Sequence, residues 1–119
     1  MILADTSVWL AHLRKGDTRL ARLLMAGHVV CHRFIVGELA CADMANRAEV
    51  LELLDALPPC RVADHDEVLH MVAARQLQGK AIGYVDAHLL ASALLDDARL
   101  WTSEPHLLAV ARSLRVSYD

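Results

Sequence analysis

Cysteine is scarce in this chain, and its placement is irregular. The three cysteines, Cys31, Cys41 and Cys60, are an odd number and contain no C-x-x-C pair. That excludes a disulfide framework and a paired-thiolate zinc site, so we expect reduced cysteines that lie mostly in the core. No run is long and apolar enough to span a membrane, and an acid stands early where a secretion signal has basic residues. These absences predict a cytoplasmic protein without a membrane segment.

A strong excess of one charge is also missing. Twelve basic and fifteen acidic side chains leave a formal net charge of −3, which argues mildly against nucleic-acid binding by the chain as a whole. That argument weakens if four acids bind divalent cations, because the remaining acids then no longer outnumber the basic groups. Apolar residues, by contrast, are abundant at 55%. Such a surplus in 119 residues predicts a surface that meets a partner, either a second copy or another protein.

Short apolar runs alternate with segments of helical periodicity along the chain. Strand candidates lie at residues 1–4, 28–31, 60–62, 98–102 and 116–118, with helices expected between them. Thr6 or Ser7 is expected to cap the first helix, because short hydroxyl side chains favour that position. The alternation predicts the α/β class, with a central, mostly parallel sheet of four or five strands flanked by helices. No linker, repeat or low-complexity segment interrupts the pattern, so we expect one domain over residues 1–119.

An isolated acid, Glu38, stands in the apolar run at residues 34–42. The run is typical of a buried helix, in which an ionised carboxylate is costly unless it is paired or bound to a metal ion. The neighbouring Gly37 weakens such a helix by about 1 kcal/mol relative to alanine. A helix that tolerates both residues suggests a function for Glu38. From this segment alone, a carboxylate on the solvent-facing side of the helix explains the pattern equally well.

Three further acids occupy positions where functional groups collect in a parallel sheet. Asp5 follows the first expected strand, Glu104 follows the fourth, and Asp86 stands in the first turn of an apolar helix. With Glu38, these carboxylates are expected to face one edge of the sheet. Converging carboxylates repel one another unless a cation lies among them, and oxygen ligands select hard cations such as Mg²⁺ or Mn²⁺. A site of this kind suits the hydrolysis of phosphodiester bonds.

The four acids lie in short segments that form an ordered set. The segments read MILADTSVW at 1–9, VGEL at 36–39, DAHLLA at 86–91 and LWTSE at 100–104. This set resembles the PIN-domain nucleases over nearly the whole chain, and it is most similar to the VapC-type toxins of bacterial toxin–antitoxin pairs. The resemblance implies a PIN-like three-layer fold and a metal-dependent endoribonuclease, usually a homodimer, that a small cognate antitoxin holds in check. It also implies metal-binding and catalytic roles for Asp5, Glu38, Asp86 and Glu104, with Thr102 and Thr6 as supporting hydroxyls.

The chain departs from the family pattern at a few positions. PIN nucleases usually carry Asp at the position of Glu104, often followed by a basic residue where this chain has Pro105. Because Glu is one methylene longer, a second metal position is expected to be displaced or weaker. That affects the rate and the metal stoichiometry more than the reaction class. Arg33 stands where similar toxins have Pro, and it is expected to alter only the start of the Glu38 helix.

The expected reaction is attack by a metal-activated water, which leaves a 5′-phosphate and a 3′-hydroxyl on structured RNA. Six basic residues are candidates for contacts with the RNA backbone, without a basis for ranking them: Arg14, Lys15, Arg19, Arg75, Lys80 and Arg112. Two alternatives stay open. One is a catalytically decayed PIN-like binding module, with Glu104 as the mark of decay. The other is a PIN nuclease that processes RNA without an antitoxin.

Overall fold

Three short parallel strands form the centre of the computed structural model, which describes all of residues 1–119. They are β1 (Ile2–Ala4), β2 (Val29–Val30) and β3 (Arg99–Trp101), and their order across the sheet is β2-β1-β3. Leu3 of the central strand lies opposite Val30 on one side and Leu100 on the other. Because all three strands run the same way, their carboxyl ends meet at one edge of the sheet. The predicted α/β class with a parallel sheet is confirmed.

The prediction of four or five strands is wrong, because the two outer segments pair with the sheet through single bridges only. The bridges are Cys31–Pro59 and Leu100–Ser117. At the first bridge, the Cys31 N–H donates to the Pro58 carbonyl and the Cys60 N–H donates to the Cys31 carbonyl. The chain after Cys31 then enters a helix at Arg33, so no strand partner lies beyond this point. Residues 60–62 therefore do not continue as a strand. At the other edge, residues 116–118 form only two backbone hydrogen bonds with Leu100, which is too short a ladder for a strand.

Seven helices accompany the sheet. They are α1 (Thr6–Lys15), α2 (Thr18–Met25), α3 (Arg33–Ala40), α4 (Arg47–Ala56), α5 (His65–Ala74), α6 (Tyr84–Asp96) and α7 (Pro105–Ser113). Asp17 caps α2, and its carboxylate accepts hydrogen bonds from the Arg19 and Leu20 N–H groups. The predicted cap of α1 by Thr6 or Ser7 is wrong, because both residues lie inside the helix. Asp5 is the cap, and its carboxylate accepts a hydrogen bond from the Val8 N–H at 3.2 Å.

A continuous hydrophobic core joins the strands to the helices. It includes Leu3 and Leu100 from the sheet and Ile35 and Leu39 from α3. Helix α6 is the most deeply placed, since every residue from Ala87 to Ala93 is buried. Each buried leucine or isoleucine contributes about 1.5–3 kcal/mol relative to an exposed one, so the core fixes α3 and α6 against the sheet. None of the seven helices combines the length and the apolar character needed to cross a membrane.

All three cysteines are free thiols. Cys31 and Cys60 are buried, whereas Cys41 is exposed, so the expectation of core cysteines holds for two of the three. Burial, reinforced by the nearby Asp55, raises the pKa of Cys31 to about 11. Burial and the nearby Asp96 raise the pKa of Cys60 to about 12. Both buried thiols are therefore uncharged near neutral pH and serve as packing residues.

Candidate active site

Four acidic side chains line one cleft at the carboxyl edge of the sheet. The cleft has a volume of about 310 Å³, and its acids are Asp5, Glu38, Asp86 and Glu104. Asp5 directly follows β1, Glu38 belongs to α3, Asp86 lies in the first turn of α6, and Glu104 immediately precedes α7. The structure thus brings together all four acids that stand out in the sequence. Their chemical roles stay predictions.

Asp5 is the most enclosed of the four carboxylates, with 5% of its surface exposed. Its Oδ1 accepts hydrogen bonds from the Ser7 hydroxyl at 2.5 Å and from the Val8 N–H at 3.2 Å. Its Oδ2 accepts one from the Thr102 hydroxyl at 2.5 Å. These three donors offset the hydration that the buried carboxylate loses. Since each carboxylate oxygen has two acceptor positions, one on Oδ2 stays open for a further ligand.

Ser7 and Thr102 also tie the segment after β3 to the segment after β1. The Thr102 hydroxyl accepts a hydrogen bond from the Glu104 N–H at 3.0 Å, and the Ser7 hydroxyl accepts one from the Ser103 N–H at 3.3 Å. Thr102 is predicted from the sequence as a supporting hydroxyl, and the structure places it directly against Asp5. Ser7 is not predicted as a site residue. Its position two residues after Asp5 is the signal that could have identified it.

Glu38 lies on the exposed side of α3, so the solvent-facing setting is the correct one of the two that the sequence left open. The helix buries Ile35 and Leu39 and leaves Gly37 and Glu38 exposed. A helix that packs on the core with one face buries residues four apart, and the intervening positions point elsewhere. The Thr6 hydroxyl donates a hydrogen bond of 2.5 Å to Oε1 of Glu38 and fixes this carboxylate beside α1. Nothing in the structure requires a glycine at position 37.

Asp86 and Glu104 stand at the starts of two helices. Oδ2 of Asp86 accepts a hydrogen bond from the Gly83 N–H at 3.2 Å, in the first turn of α6. Glu104 is the N-cap residue of α7 and is followed by Pro105, but its carboxylate forms no cap hydrogen bond. Both acids lie where the helix dipole favours negative charge. The Glu104 carboxylate is therefore available to a ligand in the cleft.

No lysine or arginine lines the acidic cleft. The protein's two ion pairs join Arg61 to Asp96 and Arg112 to Asp119, and neither involves the four acids. Unpaired carboxylates in one cleft repel one another, and oxygen donors are the ligands that hard divalent cations prefer, so the donor chemistry fits such a cation. The side chains nevertheless stand around the cleft, and no three potential ligands converge on one point. Shared coordination by three of them requires the carboxylates to rotate inward.

Apolar side chains and one histidine complete the wall of the cleft. Leu10, Leu89 and Leu107 contribute much of the apolar part, and His106 lies in the first turn of α7. None of these residues is a site candidate from the sequence, because a leucine in a helix or a single histidine has no distinctive local pattern. Only the packing of α1, α6 and α7 at the edge of the sheet brings them beside the acids.

Residues 2–113 match the family described as PIN domain. Since the match covers most of the chain, the protein belongs to the PIN domain family, and the resemblance based on the four sequence segments is confirmed. Two similar proteins are both named Ribonuclease VapC32, from Mycobacterium tuberculosis strains CDC 1551 / Oshkosh and ATCC 25618 / H37Rv. Each is 48% identical over 110 residues, which is 92% of this chain and 89% of the relative. These relatives also confirm the more specific resemblance to VapC-type proteins.

Proposed function

We propose that this protein is a divalent-metal-dependent endoribonuclease and that it acts as the toxin of a toxin–antitoxin pair. The observation that carries the proposal is the cleft lined by Asp5, Glu38, Asp86 and Glu104 without any lysine or arginine. Membership of the PIN domain family and the 48% identity to proteins named Ribonuclease VapC32 support the reaction class. The proposed cation is Mg²⁺, and Mn²⁺ can replace it, because both ions prefer oxygen ligands such as these carboxylates.

Asp5 and Asp86 are the principal metal ligands in this proposal. Glu38 and Glu104 complete the acidic pocket or hold a second ion. When bound, the cation polarises a phosphate of the RNA and lowers the pKa of a water molecule. Oδ2 of Asp5 accepts one hydrogen bond, so it has a second acceptor position with which it would bind the cation.

The surrounding hydroxyls position the carboxylates. Thr102 holds Asp5 through Oδ2, and Thr6 holds Glu38 through Oε1. Glu104, whose carboxylate is not used to cap α7, orients the attacking water and accepts its proton. The water oxygen forms a new bond to phosphorus in line with the P–O3′ bond, which breaks, and the departing 3′ oxygen takes a proton from solvent. The products therefore carry a 5′-phosphate and a 3′-hydroxyl.

The proposed partners are structured RNA as the substrate, a small cognate antitoxin and a second copy of the chain, all in the cytoplasm. Exposed apolar side chains support association with proteins, because large apolar groups in water favour burial in an interface. Met25 is 89% exposed, and Leu53 and Leu69 are about half exposed.

Cleavage of a mixed RNA pool by purified, antitoxin-free protein tests the enzyme. We expect cuts with 5′-phosphate ends in Mg²⁺ or Mn²⁺ and no cuts in EDTA. Asp86→Asn should abolish cleavage, whereas Asp66→Asn, at an exposed acid outside the cleft, should retain it. Cyclic phosphate ends would contradict water attack. Absence of both cleavage and calorimetrically detected Mg²⁺ binding would overturn the enzyme assignment in favour of a binding module.

The toxin role has a separate test in living cells. Induced expression of the wild-type chain should arrest growth, and Asp86→Asn should not. Co-expression of the small protein encoded next to this gene should relieve the arrest. Cleavage in vitro without growth arrest would point instead to a nuclease that processes RNA without an antitoxin.

A further inference from the structure

A second cleft, of about 480 Å³, adjoins the acidic one and has the opposite charge. Its lining includes Arg75, Lys80 and His106 and contains no aspartate or glutamate. His106 lines both clefts, and Ala81, which lines the acidic cleft, directly follows Lys80 in the chain. The two clefts therefore meet at His106 and at the end of the loop that holds Lys80. We name the second one the basic cleft.

The basic cleft lies between α7 and the loop that joins α5 to α6. In this loop, Gln76, Gly79 and Ala81 have φ angles of +56°, +76° and +61°. Left-handed backbone is unfavourable for glutamine and alanine, so surrounding contacts must hold the loop in this shape. The Lys80 N–H donates a hydrogen bond of 3.2 Å to the Leu77 carbonyl and closes one of the turns. Lys80 therefore stands on a defined turn beside α7.

Contacts within the protein distinguish among the six basic residues that are candidates for RNA binding. Arg19 is engaged with aromatic rings, since its guanidinium carbon lies 5.1 Å from the Trp101 ring centroid and 4.4 Å from that of Tyr118. Arg112 is paired with Asp119 at 2.9 Å. Both guanidinium groups already have partners, which lowers their availability to a phosphate.

The other four candidates differ in where they lie. Arg14 lines a pocket that meets the acidic cleft at Leu10 but also contains Asp43, whose carboxylate repels a phosphate. Lys15 lines neither the acidic nor the basic cleft. Arg75 and Lys80 both line the basic cleft, and neither takes part in an ion pair. Among the six candidates, they are the two cationic side chains that combine free donors with an adjoining cleft that contains no carboxylate.

We propose that the basic cleft binds the phosphodiester backbone of RNA next to the bond that is cut, an inference that rests on the ribonuclease function proposed above. A carboxylate-lined centre repels the rest of a polyanion, so affinity for RNA must come from adjoining positive groups. Arg75 can bind a phosphate through two N–H donors, and Lys80 adds a compact positive charge. His106 can donate a ring N–H to the phosphate that lies between the two clefts. The RNA strand thus runs from the acidic cleft past His106 to Arg75 and Lys80.

Equilibrium binding of a fluorescently labelled pool of short RNA hairpins with single-stranded loops and tails tests this inference. All proteins carry Asp86→Asn to prevent cleavage, and the test protein also carries Arg75→Gln and Lys80→Gln. The matched control carries Lys15→Gln and Arg22→Gln instead, which removes the same charge from positions outside both clefts. We expect affinity to fall about tenfold in the test protein and less than about twofold in the control. The slope of log affinity against log salt concentration should become shallower by about 0.7 for each phosphate that the protein no longer binds.

Three results would overturn the inference. They are equal decreases in affinity in the test and control proteins, unchanged affinity in the test protein, or no RNA binding by the protein that carries Asp86→Asn alone. Cleavage assays with Asp86 restored separate it from the proposed function. There we expect a raised KM and a nearly unchanged kcat for the Arg75→Gln, Lys80→Gln protein. Cleavage with wild-type KM would reject the basic cleft but leave the ribonuclease intact. If RNA binding depends on Arg75 and Lys80 but the wild-type chain cleaves no RNA, the basic cleft is supported as an RNA-binding site and the ribonuclease function is rejected.

Discussion

The buried hydroxyl of Thr102 donates a hydrogen bond of 2.5 Å to Oδ2 of Asp5, which lies 97 residues earlier in the chain. The contact joins the residue after β1 to the residue after its neighbour β3. The same hydroxyl accepts a hydrogen bond from the Glu104 N–H. One side chain therefore positions two of the four acids, and the acidic cleft is held together by hydroxyl contacts instead of ion pairs.

Thr102→Val keeps the shape of the side chain and removes both hydrogen bonds. We expect the free energy of unfolding to fall by about 1–3 kcal/mol, because the buried Asp5 carboxylate loses one of its three donors. RNA cleavage should also fall under conditions in which the variant is folded. Thr102→Ser, which retains the hydroxyl, should keep both properties near wild type. Urea denaturation and initial cleavage rates measure the two effects, and equal cleavage by the two variants would contradict a positioning role.

Thr6→Val is expected to affect cleavage more than stability. Glu38 is exposed, so water replaces the missing Thr6 hydroxyl and the free energy of unfolding should change by about 1 kcal/mol or less. Cleavage should fall about tenfold, because the carboxylate is no longer held in one position. Thr6→Ser is the matched control and should cleave at the wild-type rate. A fully active Thr6→Val protein would remove Thr6 from the site.

Glu104 offers a test that separates helix capping from catalysis. Glu104→Asp should raise the free energy of unfolding by about 0.5–1 kcal/mol, since aspartate is a good N-cap residue and the glutamate forms no cap bond with α7. Glu104→Gln should leave stability nearly unchanged but remove the proposed proton acceptor and most of the cleavage. Thermal unfolding and cleavage rates are the measurements. Full cleavage by Glu104→Gln would mean that another group orients the water.

Acid should destabilise the protein through His32. Its ring is fully buried, Nδ1 accepts a hydrogen bond from the Phe34 N–H, and Nε2 has no partner. Burial, followed by the nearby His88 and Arg33, lowers the pKa of His32 from 6.5 to about 4. Between these values the unfolded chain takes up a proton that the folded chain does not. The free energy of unfolding should therefore fall as pH decreases from 6.5 to 4, by something on the order of 3 kcal/mol for this residue.

His32→Asn isolates this contribution, because asparagine can still accept the hydrogen bond from the Phe34 N–H but does not titrate. Urea denaturation at several pH values should give a flatter acid dependence for the variant than for the wild-type chain. The same slope in both proteins would show that His32 is not the group responsible.

Divalent cations should stabilise the fold independently of RNA. The four carboxylates of the cleft repel one another, and a cation that binds only the folded chain shifts unfolding by mass action. At a Mg²⁺ concentration of about one hundred times Kd, the free energy of unfolding should rise by about 2.7 kcal/mol. Asp86→Asn should reduce this gain, and Asp66→Asn should not. Identical denaturation curves for the wild-type chain in Mg²⁺ and in EDTA would contradict metal binding at the cleft.

Local sequence was sufficient to place the acids on their elements. Asp86 lies in the first turn of α6, and Glu104 precedes Pro105 at the start of α7, because a helix start depends on residues within one turn. Asp5 follows β1 for a similar reason, since a short apolar run marks the strand. The same reasoning failed for residues 60–62, because the formation of a strand depends on a partner that local composition does not specify.

By itself, the sequence determined the family, the α/β class and the order of the four acids, because short motifs and local periodicity carry this information. Only the tertiary structure decided that Glu38 faces solvent and that Thr102 supports Asp5. It also decided that Arg75 and Lys80 stand beside the acids, with no carboxylate among the residues of the basic cleft. Each of these facts depends on contacts between residues far apart in the chain, since the direction of a side chain is set by how its helix or strand packs against the others.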